Sequence, residues 1–455
     1  MGRLTVRRTV ASGLLPVVAA WALLGVLAPP VRAADVEFGE PTTDASFGEQ
    51  IEFVQPVELA AQATRVEIRL TFSDAAGPLV VELPPPAGTG ARTLRYAFVF
   101  ADGGHLLPNT RIDASWRVYT GAHEDPGVDG PSARVTYVDD RFDWETVSGE
   151  LVRVHWYEGG AAFGRRALDI GETAVRDTAA LLGVTEEDPV DFFVYGSQDD
   201  FRSALGPGTR ENVGGQANAG IRTLFALITP AEIDQPWVEV VVPHELVHLV
   251  FDTAVKNPYH FPPRWLNEGL AVYLSESYSP GDRLATEQAA RAGTLIPLDG
   301  LTGQFPTSAD AFRLAYSESV SAVDYLIRTY GRDALVRLIR SYAEGRTDDE
   351  AFRDALGVDV AGFGAAWMAE LDAVPPEQYG PQPVPAGPQP AGWQDAAATP
   401  GPGAPVAPRS SAPPASPGGP AAPAPGGVDL GAVGLVVLLV VGGLGLGLYA
   451  LRRRA

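Results

Sequence analysis

Two histidines four residues apart bracket a glutamate in "VVPHELVHLVF", residues 241 to 251. On a helix, positions i and i+4 lie one turn apart on nearly the same face, so His244 and His248 can aim ring nitrogens at one ion, at about 2.0–2.1 Å each if it is zinc. Glu245 sits roughly 100° further round the axis. From there it can lean over the open side of the ion, where a general base for a bound water must stand. A hydrolytic zinc site needs a third protein ligand and leaves the fourth position to water. Glu268, twenty residues beyond His248 in "RWLNEGLAVYL", is the best candidate, because that stretch reads as a second buried helix. Apolar flanks, Val240 to Val242 and Leu249 to Phe251, suit a helix that carries its histidines into the interior.

The rest of the composition narrows the chemistry. The chain has no cysteine, which excludes thiolate zinc sites, cysteine nucleophiles and disulfides. Lys256 is its single lysine, which argues against Schiff-base chemistry. A formal charge of −22 repels nucleic acid and anionic membrane surfaces, so neither is an expected partner. Of the six histidines, His105, His123 and His155 lack metal-like spacing, and His260 reads as a loop residue between the two candidate helices.

The positioning elements follow from periodicity. From Val36 to about Asp140, short alternating runs such as "TRVEIRLTF" put Val66, Ile68 and Leu70 on one face, and Gly, Pro, Asp and Asn separate them. This pattern predicts a small β-sandwich of immunoglobulin or fibronectin type. Asp125, Asp129, Asp139 and Asp140 lack calcium-loop spacing and read as turn residues. The strand "LVRVHWYEG" comes next, then a helix from Phe163 to Leu182 with Gly183 as its cap, then the strand "PVDFFVYGS". Ser197 can cap a short helix, and the loop "GPGTRENVGGQANAG" leads into a strand from Ile221 to Thr229. Arg264 to Leu371 reads as almost wholly helical, with Ser308 and a Thr347-to-Glu350 capping box as starts. Strands first and helices after give an α+β fold class.

Both ends read as membrane-directed. Arg3, Arg7 and Arg8 precede an uncharged run to Val31, and Ala33 and Ala34 offer a cleavage site, the layout of a signal peptide. Leu430 to Leu451 is uncharged, and Arg452, Arg453 and Arg454 follow it. At about 1.5 Å per residue that run spans a bilayer, with the basic tail inside and the body outside the cell. The expected division is a leader over residues 1–34, the β-sandwich over 35–145 and the site-bearing domain over 146–373. A Pro/Ala/Gly-rich disordered stalk over 374–427 and a single transmembrane helix with its tail over 428–455 complete it.

Taken together, "HELVH" and "RWLNEGLAVYL" resemble the gluzincin zinc metallopeptidases, and "WLNEG" is similar to the aminopeptidase N family and its peptidase MA-like relatives. The resemblance runs from about Leu151 to Leu371. It implies a thermolysin-like domain holding Zn2+ on His244, His248 and Glu268, with Glu245 as base. It also implies that "AYSESVSAVDYL" carries an oxyanion-binding tyrosine at Tyr316; a plain core role is the competing reading for that residue. The chain departs from the family in three places. The step from His248 to Glu268 is one residue longer than in the aminopeptidases. Val272 stands where the thermolysin type has an aspartate that orients a ligand histidine. In "GGQAN", Gly214 to Asn218, Ala217 replaces the glutamate that grips a substrate's free amino terminus. The expectation is therefore a membrane-anchored extracellular zinc metallopeptidase, an endopeptidase acting on peptide or protein substrates. The alternatives are a cell-surface binding or adhesion protein with a structural zinc site, and a zinc hydrolase of non-peptide substrates. The oligomeric state is not legible.

Overall fold

The structure is a computed structural model, described here over residues 35–102, 105–121, 126–206, 214–257 and 260–374. Its first part is built from two antiparallel sheets. One contains β1 (Val36–Phe38), β2 (Thr42–Ser46), β3 (Gln50–Leu59) and β6 (Gly90–Val99), with β3 pairing to all three others. The other runs β5 (Leu79–Leu83), β4 (Arg65–Phe72), β7 (Arg111–Tyr119), β8 (Val128–Asp129), with β9 (Ala133–Thr136) also on β7. The alternation in β4 buries Val66, Ile68, Leu70 and Phe72 against Ile51, Phe53 and Val57 of β3, so the sheets close over one core.

The second part opens with a five-stranded mixed sheet: β10 (Glu145–Ser148), β11 (Val152–Trp156), β12 (Val190–Tyr195), β13 (Gly215–Asn218) and β14 (Thr223–Leu227). Their order is β10-β11-β12-β14-β13, with β11, β12 and β14 parallel and the two end strands antiparallel to their neighbours. Register assigns the two faces. Phe192, Leu224 and Ala217 lie in one row, and Phe193, Phe225 and Gln216 lie in the next. The first row packs on α1 (Ala161–Leu182) and α3 (Val238–Val255). The second meets α2 (Gln198–Leu205) together with Phe47, Leu107, Phe142 and Trp144 from the β-rich part and the stretch after it.

Two expectations are corrected in this sheet. The glycine-rich stretch is not loop to its end, because its residues Gly215 to Asn218 form β13. The strand expected over Ile221 to Thr229 is shorter: β14 spans only Thr223–Leu227, paired on both sides, with β13 outside it at that end of the sheet.

The helical remainder comprises α4 (Arg264–Ser275), α5 (Pro280–Ala292), α6 (Ala309–Tyr330), α7 (Arg332–Ser341), α8 (Asp348–Leu356) and α9 (Val360–Glu370). Gly183, at φ 64°, ends α1 in the left-handed region. The side chain of Ser197 caps α2, and the Thr347–Glu350 box caps α8 reciprocally. Ser308 is the N-cap of α6 without a side-chain capping bond.

Asp139 is not a turn residue. It is buried, paired with Arg141, and accepts the Tyr195 hydroxyl at 3.1 Å. Asn109, held at φ 71°, donates its amide to Asp191 at 2.9 Å and to Thr223 at 2.8 Å, tying the β-rich part to the sheet. Asp129 pairs with Arg117, and Asp125 lies outside the described residues. Among the described residues no helix is long and apolar enough to cross a membrane. The leader, the stalk and the run from Leu430 to Leu451 lie outside them.

Candidate metal centre

Apolar residues cover most of the circumference of α3, so its middle turns run through the core, and the polar groups they carry from His244 to His248 are buried with them. His244, Glu245 and Glu268 are fully buried and His248 is 4% exposed. The helix α4, which carries Glu268, packs against both α3 and α6. This crossing brings the motif carboxylate and the later one into the same space. Glu268 Oε2 lies 3.7 Å from His244 Nε2 and 3.6 Å from His248 Nε2. The two imidazole rings stand 4.9 Å apart at 79°. One ligating atom from each of the three residues falls within 4.8 Å of the others, the only such group among the described residues.

The donor set fits zinc on two grounds. Tetrahedral bonds of about 2.0–2.1 Å place ligand atoms about 3.3 Å apart, a few tenths below the separations found. In addition, His244 Nδ1 and Nε2, His248 Nε2, Glu268 Oε2 and Glu245 Oε1 are all buried without a hydrogen-bond partner among the described residues. Each such orphan costs about 1–3 kcal/mol unless something satisfies it. A divalent cation with its water would satisfy most of them.

The electrostatics favour the same arrangement. Burial pushes His248 down to about 4, leaving a neutral imidazole with a lone pair to give. Burial works to raise the Glu268 carboxyl, but His244, His248 and Arg264 outweigh it and hold it at about 2. Glu245 is pushed well above the usual carboxylate range, first by burial and then by the charge on Glu268. The Ala217 N–H, donating to Glu245 Oε2 at 3.1 Å, opposes that rise. A bound dication would add its own charge to the balance and favour the ionised form. A carboxylate whose proton affinity is raised in this way is a stronger proton acceptor than an ordinary one.

Three features around the cluster escape a reading of the sequence. His248 Nδ1 meets Asn267 Oδ1 at 3.0 Å, so the orienting group that Val272 could not supply comes from the residue next to Glu268. Arg264 Nε donates to Glu268 Oε1 at 3.1 Å across one turn of α4; that i, i+4 spacing was the available signal. Ala217 acts through its backbone, which no side-chain pattern announces. Directly after Glu268, a Cβ at Gly269 would lie 2.3 Å from the Ser319 carbonyl oxygen, so α4 and α6 touch backbone to backbone there.

Tyr316 is on α6, with its ring 6.5 Å from that of His244 and packed on Phe305 and Phe312. The ring is partly exposed while its hydroxyl is buried. Burial, and secondarily Glu268, raise its pKa well above the ordinary phenol value. It therefore stays a donor at any working pH. His260 does not join the cluster: it pairs with Asp348 at 3.0 Å beside Tyr342. His155 bonds Asp191 and Thr146, and His105 lies against Gly206. His123 is outside the described residues.

Residues 171–373 match the family model of the peptidase MA superfamily. This domain is a member of that superfamily. The peptidase MA domain contains α3, α4 and α6, and hence all five residues singled out by the motif reading. It is a zinc peptidase domain, a hydrolase of peptide bonds. Solved structures that the chain is similar to include an M1 zinc metallopeptidase from Deinococcus radiodurans, at 16% identity over 77% of this chain and 97% of that one, with a TM-score of 0.37. Another is an aminopeptidase N family protein from Idiomarina loihiensis, at 10% identity over 70% and 73%, with a TM-score of 0.36. No curated protein sequence matches the chain.

Proposed function

We propose that the protein is a membrane-anchored, extracellular zinc endopeptidase. His244 Nε2, His248 Nε2 and Glu268 Oε2 would hold the ion, with Asn267 orienting His248. When bound, zinc supplies Lewis acidity, acidifying a water and polarising the scissile carbonyl. Glu245 accepts the proton at Oε1, the oxygen that Ala217 leaves unengaged, and delivers it to the departing amine. The Tyr316 hydroxyl donates to the oxyanion. An extended substrate lies along β13, the end strand beside Glu245, and pairs with it as an added strand.

The observation that carries this reading is the position of Glu245. A purely structural zinc site has no use for a buried carboxylate tethered beside three ligands with one oxygen unpartnered. The endopeptidase assignment rests on Ala217, which leaves no carboxylate at that point of β13 to grip an ammonium group. Anchoring and an outside location rest on the leader pattern and on Leu430 to Leu451 with its three arginines.

The test compares peptides with free and acetylated amino termini, with and without a chelator. Chelator-sensitive internal cleavage of both forms supports an endopeptidase. Cleavage confined to the first bond of free-amine peptides would replace it with an aminopeptidase.

A further inference from the structure

We propose that Arg264 is a positioning residue that keeps one oxygen of Glu268 off the metal, so that this carboxylate ligates through Oε2 alone. The inference rests on the zinc reading above. A carboxylate can bind an ion through one oxygen or both, and a second oxygen would occupy coordination space that a hydrolytic site leaves for water and the substrate carbonyl.

The two oxygens of Glu268 have different surroundings. Oε2 faces both histidine Nε2 atoms, at 3.6 and 3.7 Å, and has no hydrogen-bond partner among the described residues. Oε1 accepts from Arg264 Nε at 3.1 Å, between side chains that are 17% and 0% exposed. A charge-assisted bond this well shielded from water is strong and directional. Backbone and guanidinium of this residue are both held in place. The Arg264 backbone N–H donates to the Thr302 carbonyl at 2.9 Å, and the guanidinium lies over the Phe305 ring at 4.6 Å. Phe305 meets the Tyr316 ring edge-on at 5.4 Å. One side chain thus spans the gap between the ligand carboxylate and the aromatic wall that carries the oxyanion tyrosine. A lysine could supply the charge but not the planar donor direction.

The test uses the full-length protein as wild type, R264M and R264K. Zinc affinity is read by competition with a chromophoric chelator, coordination by the visible spectrum of the cobalt-substituted protein, and folding by melting of the metal-free form. R264M is expected to bind zinc roughly 10- to 100-fold more weakly, the usual effect of removing a partner of a metal ligand. Its cobalt bands should weaken, as expected when a second carboxylate oxygen raises the coordination number. R264K should show the same spectral change at smaller amplitude. An unchanged spectrum and affinity in either folded variant, beside a wild type that binds one zinc, would overturn the inference. A wild type that binds no zinc would overturn the zinc reading itself and this inference with it.

Discussion

The backbone N–H of Ala217, on the end strand of the sheet, donates to Oε2 of Glu245 at 3.1 Å and leaves Oε1 buried, with no partner among the described residues. One oxygen is therefore tethered by the strand that would bind substrate, and the other is the one available to a proton. Glu245→Gln keeps an acceptor for the Ala217 N–H but cannot take up a proton. The expected result is a kcat loss of roughly 10²- to 10⁴-fold with zinc content unchanged. Turnover within a few-fold of wild type would exclude Glu245 as the base.

Among the described residues, Asn267 alone bonds to the ring of His248, whose Nδ1 meets its Oδ1 at 3.0 Å. Asn267→Ala frees the imidazole to rotate and removes its partner. Zinc affinity is expected to fall about 10- to 100-fold, while Asn267→Asp restores most of it. Equal affinities in all three proteins would show that packing alone orients the ring.

Gly269 sets the distance between α4 and α6. With the Ser319 carbonyl oxygen 2.3 Å from where a Cβ would sit, Gly269→Ala must push the helices apart. A stability loss of about 1–3 kcal/mol is expected, as for other overpacked cores. Because α6 carries Tyr316, kcat should fall as well, in the direction of Tyr316→Phe, for which a loss of about 10²- to 10³-fold is expected. Denaturation curves and kcat on the same samples check both. A destabilised Gly269→Ala enzyme with wild-type kcat would mean that this contact does not place the tyrosine.

Glu318 contributes a pH dependence of stability separate from the metal. It is fully buried, both its oxygens lie within 3.2 Å of the Ile296 N–H, and burial pushes it up to about 8 from an ordinary 4.5. Between those values the unfolded chain has lost its proton while the folded one keeps it, so unfolding releases a proton. Stability from this group is fully present below about 4.5, falls as pH rises to about 8, and is level beyond, a change of order a few kcal/mol. Glu318→Gln should flatten the decline in denaturation midpoints between pH 5 and 8. Parallel curves for the two proteins would refute the assignment.

By itself the sequence determined the chemistry on offer. His244, Glu245 and His248 are legible because helix geometry is local: four residues make about one turn, whatever the rest of the chain does. The helices capped at Ser197, Gly183 and Thr347 were legible for the same reason. Glu268 could be named as a candidate from its apolar helical setting, but its approach to within 3.7 Å of both histidines is a product of the packing of α3 on α4. Only the tertiary structure decided which amide holds Glu245, which residue orients His248, and which strand ends the sheet. Those are contacts between elements far apart in the chain, and periodicity within one element carries no record of what will face it. Ala217 is the clearest case: the side chain suggested only a missing carboxylate, while the backbone N–H supplies the contact.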